Sequence, residues 1–308
     1  MRYTSYAFQV PSEKVVRVIT NTDAKNEADD QFAVVQALLS PKFDNVGMIA
    51  AHYGIGRDVD SMQKSFVELE TIFSKMGFST AGMLYHGAER PMKAKTEILN
   101  SEGSDLIIEE AMKDDSRPLF VLFLGPLTDL AAAYLAEPRI AGRLTAIWIG
   151  GGTYPNGGIE FNLGNDINAA NVVFSSPIEV WQVPKNVYEM IPASLAELEV
   201  RVRPCGEIGK YLFDQLNEHA QEEIPRKSAF RTGESWVLGD NPAVGLILYE
   251  HRFEFDWISA PQIGTDMQYI HTGQNRPIRV YRRIDPRLIL EDLYAKLALF
   301  SARFQEGL

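Results

Sequence analysis

A chain of 308 residues that is 45% hydrophobic can bury a large core without disulfide or metal staples. Its formal net charge of -11 and pI near 5.0 exclude the basic footprint that polymeric nucleic acid requires; they favour a divalent cation and leave a small neutral substrate open. Cys205 is the only cysteine, so no intrachain disulfide forms and a reducing compartment is expected. Residues 1–10 lack the basic start and apolar run of a signal peptide. The most apolar stretch, residues 119–136, is broken by Gly125, Pro126 and Asp129. The expectation is a soluble cytoplasmic protein with no membrane span.

Residues 15–20 read as a buried strand. Residues 29–39 read as a helix carrying Phe32, Val35, Ala37 and Leu39, stopped before Pro41. A second buried strand spans 46–51, and Met62, Phe66, Leu69, Ile72 and Phe73 give 59–76 a helical spacing. Residues 119–124 are a third strand, with a helix over 127–136 behind it. Strands over 146–149 and 178–183 bracket a helix over about 165–174. Short apolar strands alternating with helices imply an α/β fold: an open, mostly parallel, Rossmann-like sheet flanked by helices. The last third differs. Residues 192–248 read as mainly helical, 278–284 alternate as a strand, and Pro286 opens a final helix. This predicts a helical C-terminal extension of one domain spanning 1–308.

In such sheets ligands bind at the carboxyl ends of the strands, so residues just after each strand carry the information. After the first strand, Asp23, Glu27, Asp29 and Asp30 place four carboxylates in eight residues. Helix capping accounts for one or two of them but not for Asp23. Crowded carboxylates repel, and a hard cation with oxygen ligands relieves that repulsion most directly. After the third strand comes Leu124-Gly125-Pro126-Leu127-Thr128-Asp129, a tight turn able to aim a backbone carbonyl inward. Gly150-Gly151-Gly152, Asn156 and Glu160-Phe161-Asn162 follow the next strand. If that last segment is extended, Glu160 and Asn162 share a face suited to hydroxyl groups while Phe161 anchors the other. Late in the chain lies Gly239-Asp240-Asn241-Pro242, which on local sequence alone reads as a helix cap.

In this order the segments resemble the inosine-uridine nucleoside hydrolase family, whose acidic loop has the form D-x-D-x-G-x-D-D. The counterparts here are residues 21–30, 86–91, 124–129, 151–162 and 239–242. The resemblance implies the nucleoside hydrolase fold and Ca²⁺-dependent cleavage of a nucleoside or other riboside. Asp23 would ligate Ca²⁺ and act as general base. Asp30, the Leu124 carbonyl and Asp240 would complete the ligand set. Asp29 and Asn162 would bind ribose hydroxyls, and Glu160 with Asn156 the 5′-hydroxyl end. A homodimer or homotetramer is implied in the same way.

The departures from the family pattern are specific. Asn21 replaces an aspartate, and the turn that ends in asparagine in the family ends here in Asp129. Gly239 stands where many members have a histidine that protonates the leaving base. His52, just after the strand over 46–51, and His86 are the better-placed of the histidines to act instead. Arg231, Glu234 and Trp236 precede Asp240, and Trp236 is read either as a stacking partner for a base or as core filler. Two alternatives stay open: a riboside-binding module without turnover, and a Mg²⁺-dependent phosphatase of the haloacid-dehalogenase type, which the acidic loop also resembles.

Overall fold

The computed structural model describes residues 1–222, 233–249 and 253–305. Its strands are β1 (Val16–Thr22), β2 (Phe43–Ala50), β3 (Leu84–His86), β4 (Leu119–Phe123), β5 (Thr145–Ile149) and β6 (Glu179–Val183). Then come β7 (Pro192–Ser194), β8 (Ser235–Val237), β9 (Glu254–Ser259), β10 (Gln262–Ile263), β11 (Tyr269–Ile270) and β12 (Pro277–Arg283). Eight of them form one sheet in the order β3-β2-β1-β4-β5-β6-β12-β9. All neighbours run parallel except β9, which lies antiparallel on β12. β1 is central and buried at every residue, as expected of a strand paired on both sides and covered on both faces.

Helices cover the two faces. The first carries α1 (Asp30–Leu38), α2 (Ser61–Met76), α9 (Gly206–Ala220), α10 (Asn241–Leu248) and α11 (Pro286–Gln305), joined through Phe32, Leu69, Leu212, Leu246 and Leu293. The second carries α3 (Glu102–Met112), α4 (Thr128–Ala136) and α6 (Ile167–Ser175), joined through Ile107, Leu130 and Val173. Shorter helices are α5 (Phe161–Asn165), α7 (Lys185–Tyr188) and α8 (Leu195–Arg201). Local chemistry sets several boundaries. Gly77, at φ 67°, ends α2 in the left-handed region that suits glycine. A reciprocal Ser101–Ser104 capping box starts α3.

The chain moves outward from β1 through β2 to β3, then returns to place β4 on the other side of β1. That reversal is the topological switch point, and it opens a crevice beyond the carboxyl ends of β1 and β4. The predicted alternation of strands and helices is present, with boundaries shifted by a few residues. The extension is less purely helical than the sequence suggests. Besides α8, α9 and α10 it contains the β7–β8 pair, and alongside the expected strand β12 it contributes β9 to the main sheet. β9 escapes a periodicity reading because it is an edge strand whose residues are all partly or fully exposed. Among the described residues no helix is long and apolar enough to cross a membrane.

Candidate active site

The switch-point crevice holds the acidic residues. Asp23, directly after β1, is 1% exposed; Asp30, in the first turn of α1, is 3%; Asp240, before α10, is 4%. Among the described residues, carboxylate oxygens of Asp29, Asp30 and Asp240 all lie within 4.8 Å of one another. Asp29 and Asp240 occupy N-cap positions, yet neither side chain makes a capping hydrogen bond. Asp240 thus takes the N-cap place that the local reading gives it, but its side chain does no capping. Asp29 Oδ2 instead accepts the main-chain N–H of Gly239 at 2.9 Å. Asp30 Oδ1 accepts the hydroxyl of Thr22, the last residue of β1.

Electrostatics show what this costs. Burial pushes the Asp30 carboxyl up to about 7, against the opposing pull of hydrogen bonds from Thr22 and Asp240. Asp23 and Asp240 are pushed well above the usual carboxylate range, by burial first and by the charge of Asp30 next. Carboxylates gathered away from water, none used as a cap, make a donor set of hard oxygens that fits a divalent cation. Asp23 stands beside the tight trio. Its Oδ2 accepts from Asn26 Nδ2 at 3.2 Å and Asn165 Nδ2 at 3.4 Å. Gly125 lies against it, where an added Cβ would meet Asp23 Oδ1 at 2.9 Å.

The Leu124 carbonyl follows β4 at the same crevice and accepts Asn162 Nδ2 at 2.8 Å; the same amide reaches the Ile149 carbonyl, also at 2.8 Å. Asn162 thus bridges the ends of β4 and β5. The extended reading of Glu160-Phe161-Asn162 is overturned. Glu160 is the N-cap of α5, and its oxygens accept the N–H groups of Gly151, Asn162 and Leu163 and the Tyr188 hydroxyl at 2.8–3.1 Å. An acidic residue ahead of free backbone N–H groups starts a helix, and a period of two cannot be read from three residues. Phe161 does not anchor the opposite face. It is 48% exposed, with the Arg57 guanidinium 4.7 Å above its ring. Asn156 is exposed on a turn, its carbonyl accepting from Tyr269 N at 2.9 Å.

His52 is buried with both ring nitrogens engaged. Gly54 N–H donates to Nδ1 at 3.2 Å, and Nε2 faces Thr128 Oγ1 at 2.8 Å, which donates onward to Asp166. Burial lowers its pKa to about 4, so it is neutral at physiological pH. Trp236 is 2% exposed within the first-face core, edge-on to His219, which is the core-filler arrangement. Glu234 is exposed, and Arg231 and His251 lie outside the described residues.

The profile of the family described as inosine-uridine preferring nucleoside hydrolase matches residues 18–288. The chain belongs to this family. It is 31% identical over 122 residues to the inosine-uridine preferring nucleoside hydrolase of Leishmania major, a match that spans 38% of each chain. It is 25% identical over 224 residues to the pyrimidine-specific ribonucleoside hydrolase RihA of Salmonella paratyphi A, covering 63% of this chain and 70% of that one. The purine-preferring ribonucleoside hydrolase from Gardnerella vaginalis superposes with a TM-score of 0.75 at 18% identity, over 92% of this chain and 99% of that one. The plant nucleoside hydrolase PpNRh1 gives 0.72 at 18% identity with the same coverage. At that identity the two structures establish the fold.

Family membership gives the departures a physical meaning. Asn21 Nδ2 donates to Asp129 Oδ2 at 2.8 Å. The two residues that depart from the expected pattern face each other, an amide on β1 against an acid on α4. Gly239 has an equally local reason. A Cβ there would approach the Tyr188 ring at 3.1 Å and Asp29 Oδ2 at 3.3 Å, so Tyr188 fills the space beside it. Tyr188, Asn165 and Thr22 were invisible to sequence reasoning. The first two arrive on short helices, and a threonine ending an apolar strand carries no signal.

Proposed function

We propose that this protein hydrolyses the N-glycosidic bond of ribonucleosides, releasing ribose and free base, with Ca²⁺ as its cation. The observation that carries the reading is the convergence of Asp29, Asp30 and Asp240 within 4.8 Å, uncapped, at the switch point beside Asp23. Asp23, Asp30, Asp240 and the Leu124 carbonyl are the groups assigned to the ion. When bound, Ca²⁺ offsets the mutual repulsion of these carboxylates and makes the attacking water easier to deprotonate.

Cleavage passes through a transition state resembling an oxocarbenium ion, and positive charge grows on the ribose ring. Buried carboxylates aimed at that ring stabilise the charge in a medium of low dielectric. Asp23 takes the proton of the attacking water, a contribution on the order of 10²–10⁴-fold. Asp29 accepts a ribose hydroxyl. The Asn162 amide N–H groups are committed to two carbonyls, so its Oδ1 is the atom offered to the sugar. Glu160 and Asn156 are assigned to the 5′ side. Four donors already use the Glu160 oxygens, so it serves mainly by bracing Gly151 and Tyr188.

The test is release of free base from uridine and inosine, with and without a chelator. The reading expects turnover that the chelator abolishes and added Ca²⁺ restores. Calorimetric binding of nucleosides without any base release would support the binding-module alternative instead. The family match argues against the phosphatase. A cytoplasmic homo-oligomer accompanies the proposal, to be checked by fractionation and light scattering.

A further inference from the structure

Among the described residues two candidates for the acid on the departing base do not serve: position 239 has no side chain, and the nitrogens of His52 are both engaged. His86 is placed differently. Thr22, Ala50 and His86 are register partners across β1, β2 and β3, so they form one row at the carboxyl end of the sheet. Two strand spacings put His86 about 10 Å from Thr22, roughly the long dimension of a nucleoside. Row partners project to the same face. Thr22 bonds Asp30 on α1, and the His86 ring stacks on Phe66 of α2, with centroids 3.9 Å apart and planes 5° apart.

The ring is fixed in a second way. Glu102 Oε2 accepts both the His86 main-chain N–H and Nδ1–H, each at 2.9 Å. These two bonds hold the Glu102 carboxyl below its ordinary range, so it is ionised. Nε2 has no partner among the described residues. A carboxylate on Nδ1 sets the tautomer and the ring orientation, while the opposite nitrogen stays available for proton transfer.

His86 also lines a cavity of about 460 Å³ with Met62, Gln63, Arg90, Leu99 and Ser101. Apolar Met62 and Leu99 suit a base face, and Gln63 and Ser101 can meet its edge. The cavity wall is tied to the acidic crevice through Asp129, which accepts from Asn21 Nδ2, Ala88 N and Ser101 Oγ at 2.6–2.8 Å. Asn21 is two residues before Asp23.

We propose that this cavity receives the departing nucleobase and that His86, held by Glu102, protonates it; the inference rests on the nucleoside-hydrolysis reading above. As the bond between C1′ and the base nitrogen breaks, its electron pair goes to the base and the Nε2 proton follows. Water supplies the oxygen that bonds to C1′ and gives its proton to Asp23. Asp23 returns that proton to solvent, and His86 takes one up from solvent, so the sum is riboside plus water to ribose plus free base.

The experiment compares inosine and uridine with 4-nitrophenyl β-D-ribofuranoside, whose phenolate leaves without a proton. The His86→Gln variant is expected to lose kcat on both nucleosides by about 10²-fold or more while staying within about threefold of wild type on the nitrophenyl riboside. Glu102→Gln, which keeps the ring but loses the anion, is expected to show a smaller loss confined to nucleosides. Equal losses on all three substrates, or undiminished nucleoside turnover in His86→Gln, would overturn the role of His86 and leave the hydrolase reading standing. Wild-type protein inactive on all three, with Ca²⁺ present, would overturn the hydrolase reading and this inference with it.

Discussion

Asn21 and Asp129 form a buried amide–carboxylate pair whose members are expected to depend on each other. Asp129 Oδ1 accepts from Ala88 N and Ser101 Oγ, and Oδ2 from Asn21 Nδ2. Asn21→Asp removes that donor and sets two buried carboxylates face to face. An uncompensated buried charge costs about 3–5 kcal/mol, so the variant is expected to unfold at markedly lower temperature or denaturant concentration. Adding Asp129→Asn turns the pair around: the amide now on α4 donates to the carboxylate now on β1, while its oxygen keeps Ala88 and Ser101. The double variant is expected to recover most of the stability, giving a coupling well above the ~0.5 kcal/mol of independent sites in a double-mutant cycle. Simple additivity would refute the coupling of the two positions. Asp23 calls for a different measurement. Asp23→Ala relieves crowding, so the protein is expected to fold with unchanged or higher stability while kcat falls at least 10²-fold. Near-normal base release in that variant would remove Asp23 from the chemistry.

At the level of elements, what the sequence discloses follows from burial. β1, α1, β4 and α4 read correctly because long apolar runs, and the residues after them, have one physical explanation. β3 is three half-buried residues, and β9 is an exposed edge, so neither produces a clear period. Part of the acidic nest was legible: Asp23, Asp29 and Asp30 crowd one loop after a buried strand beyond what capping explains, whereas Asp240 reads locally as a cap and joins them only in the fold. The far side of the site was not. Glu160 looked like one half of an alternating pair and is a helix cap, and Tyr188 comes from a four-residue helix with no pattern of its own. The Gly125 turn connects the two levels. Because a Cβ there would meet the Asp23 carboxylate at 2.9 Å, Gly125→Ala is expected to displace Asp23 and reduce kcat more than it shifts KM or the melting temperature. A variant with wild-type kcat would show that Asp23 moves aside freely.

Across the whole molecule, the nest makes stability depend on pH and cation together. The folded Asp30 carboxyl titrates at about 7, above its value in the unfolded chain, so between about pH 4 and 7 the folded state holds more protons. Its contribution to stability is therefore present at low pH and is lost as pH rises toward 7. On the proposed ligand set, a bound cation replaces those protons. Added Ca²⁺ is expected to raise the melting temperature more at pH 8 than at pH 5, and a chelator to reverse the gain. Equal or absent shifts at the two pH values would separate the acidic residues from cation binding.

The placement of Asp240 also has a temporal consequence. It reaches the nest only when α10 docks on α1, where Asn241 Nδ2 meets Gln36 Oε1 at 2.8 Å. A nascent chain on the ribosome can expose β1 through β6, with Asp23, Asp29 and Asp30 already made, and still lack the third member of the close trio. On the proposed ligand set, the full group of donors for a cation therefore exists only after α10 has been made and docked.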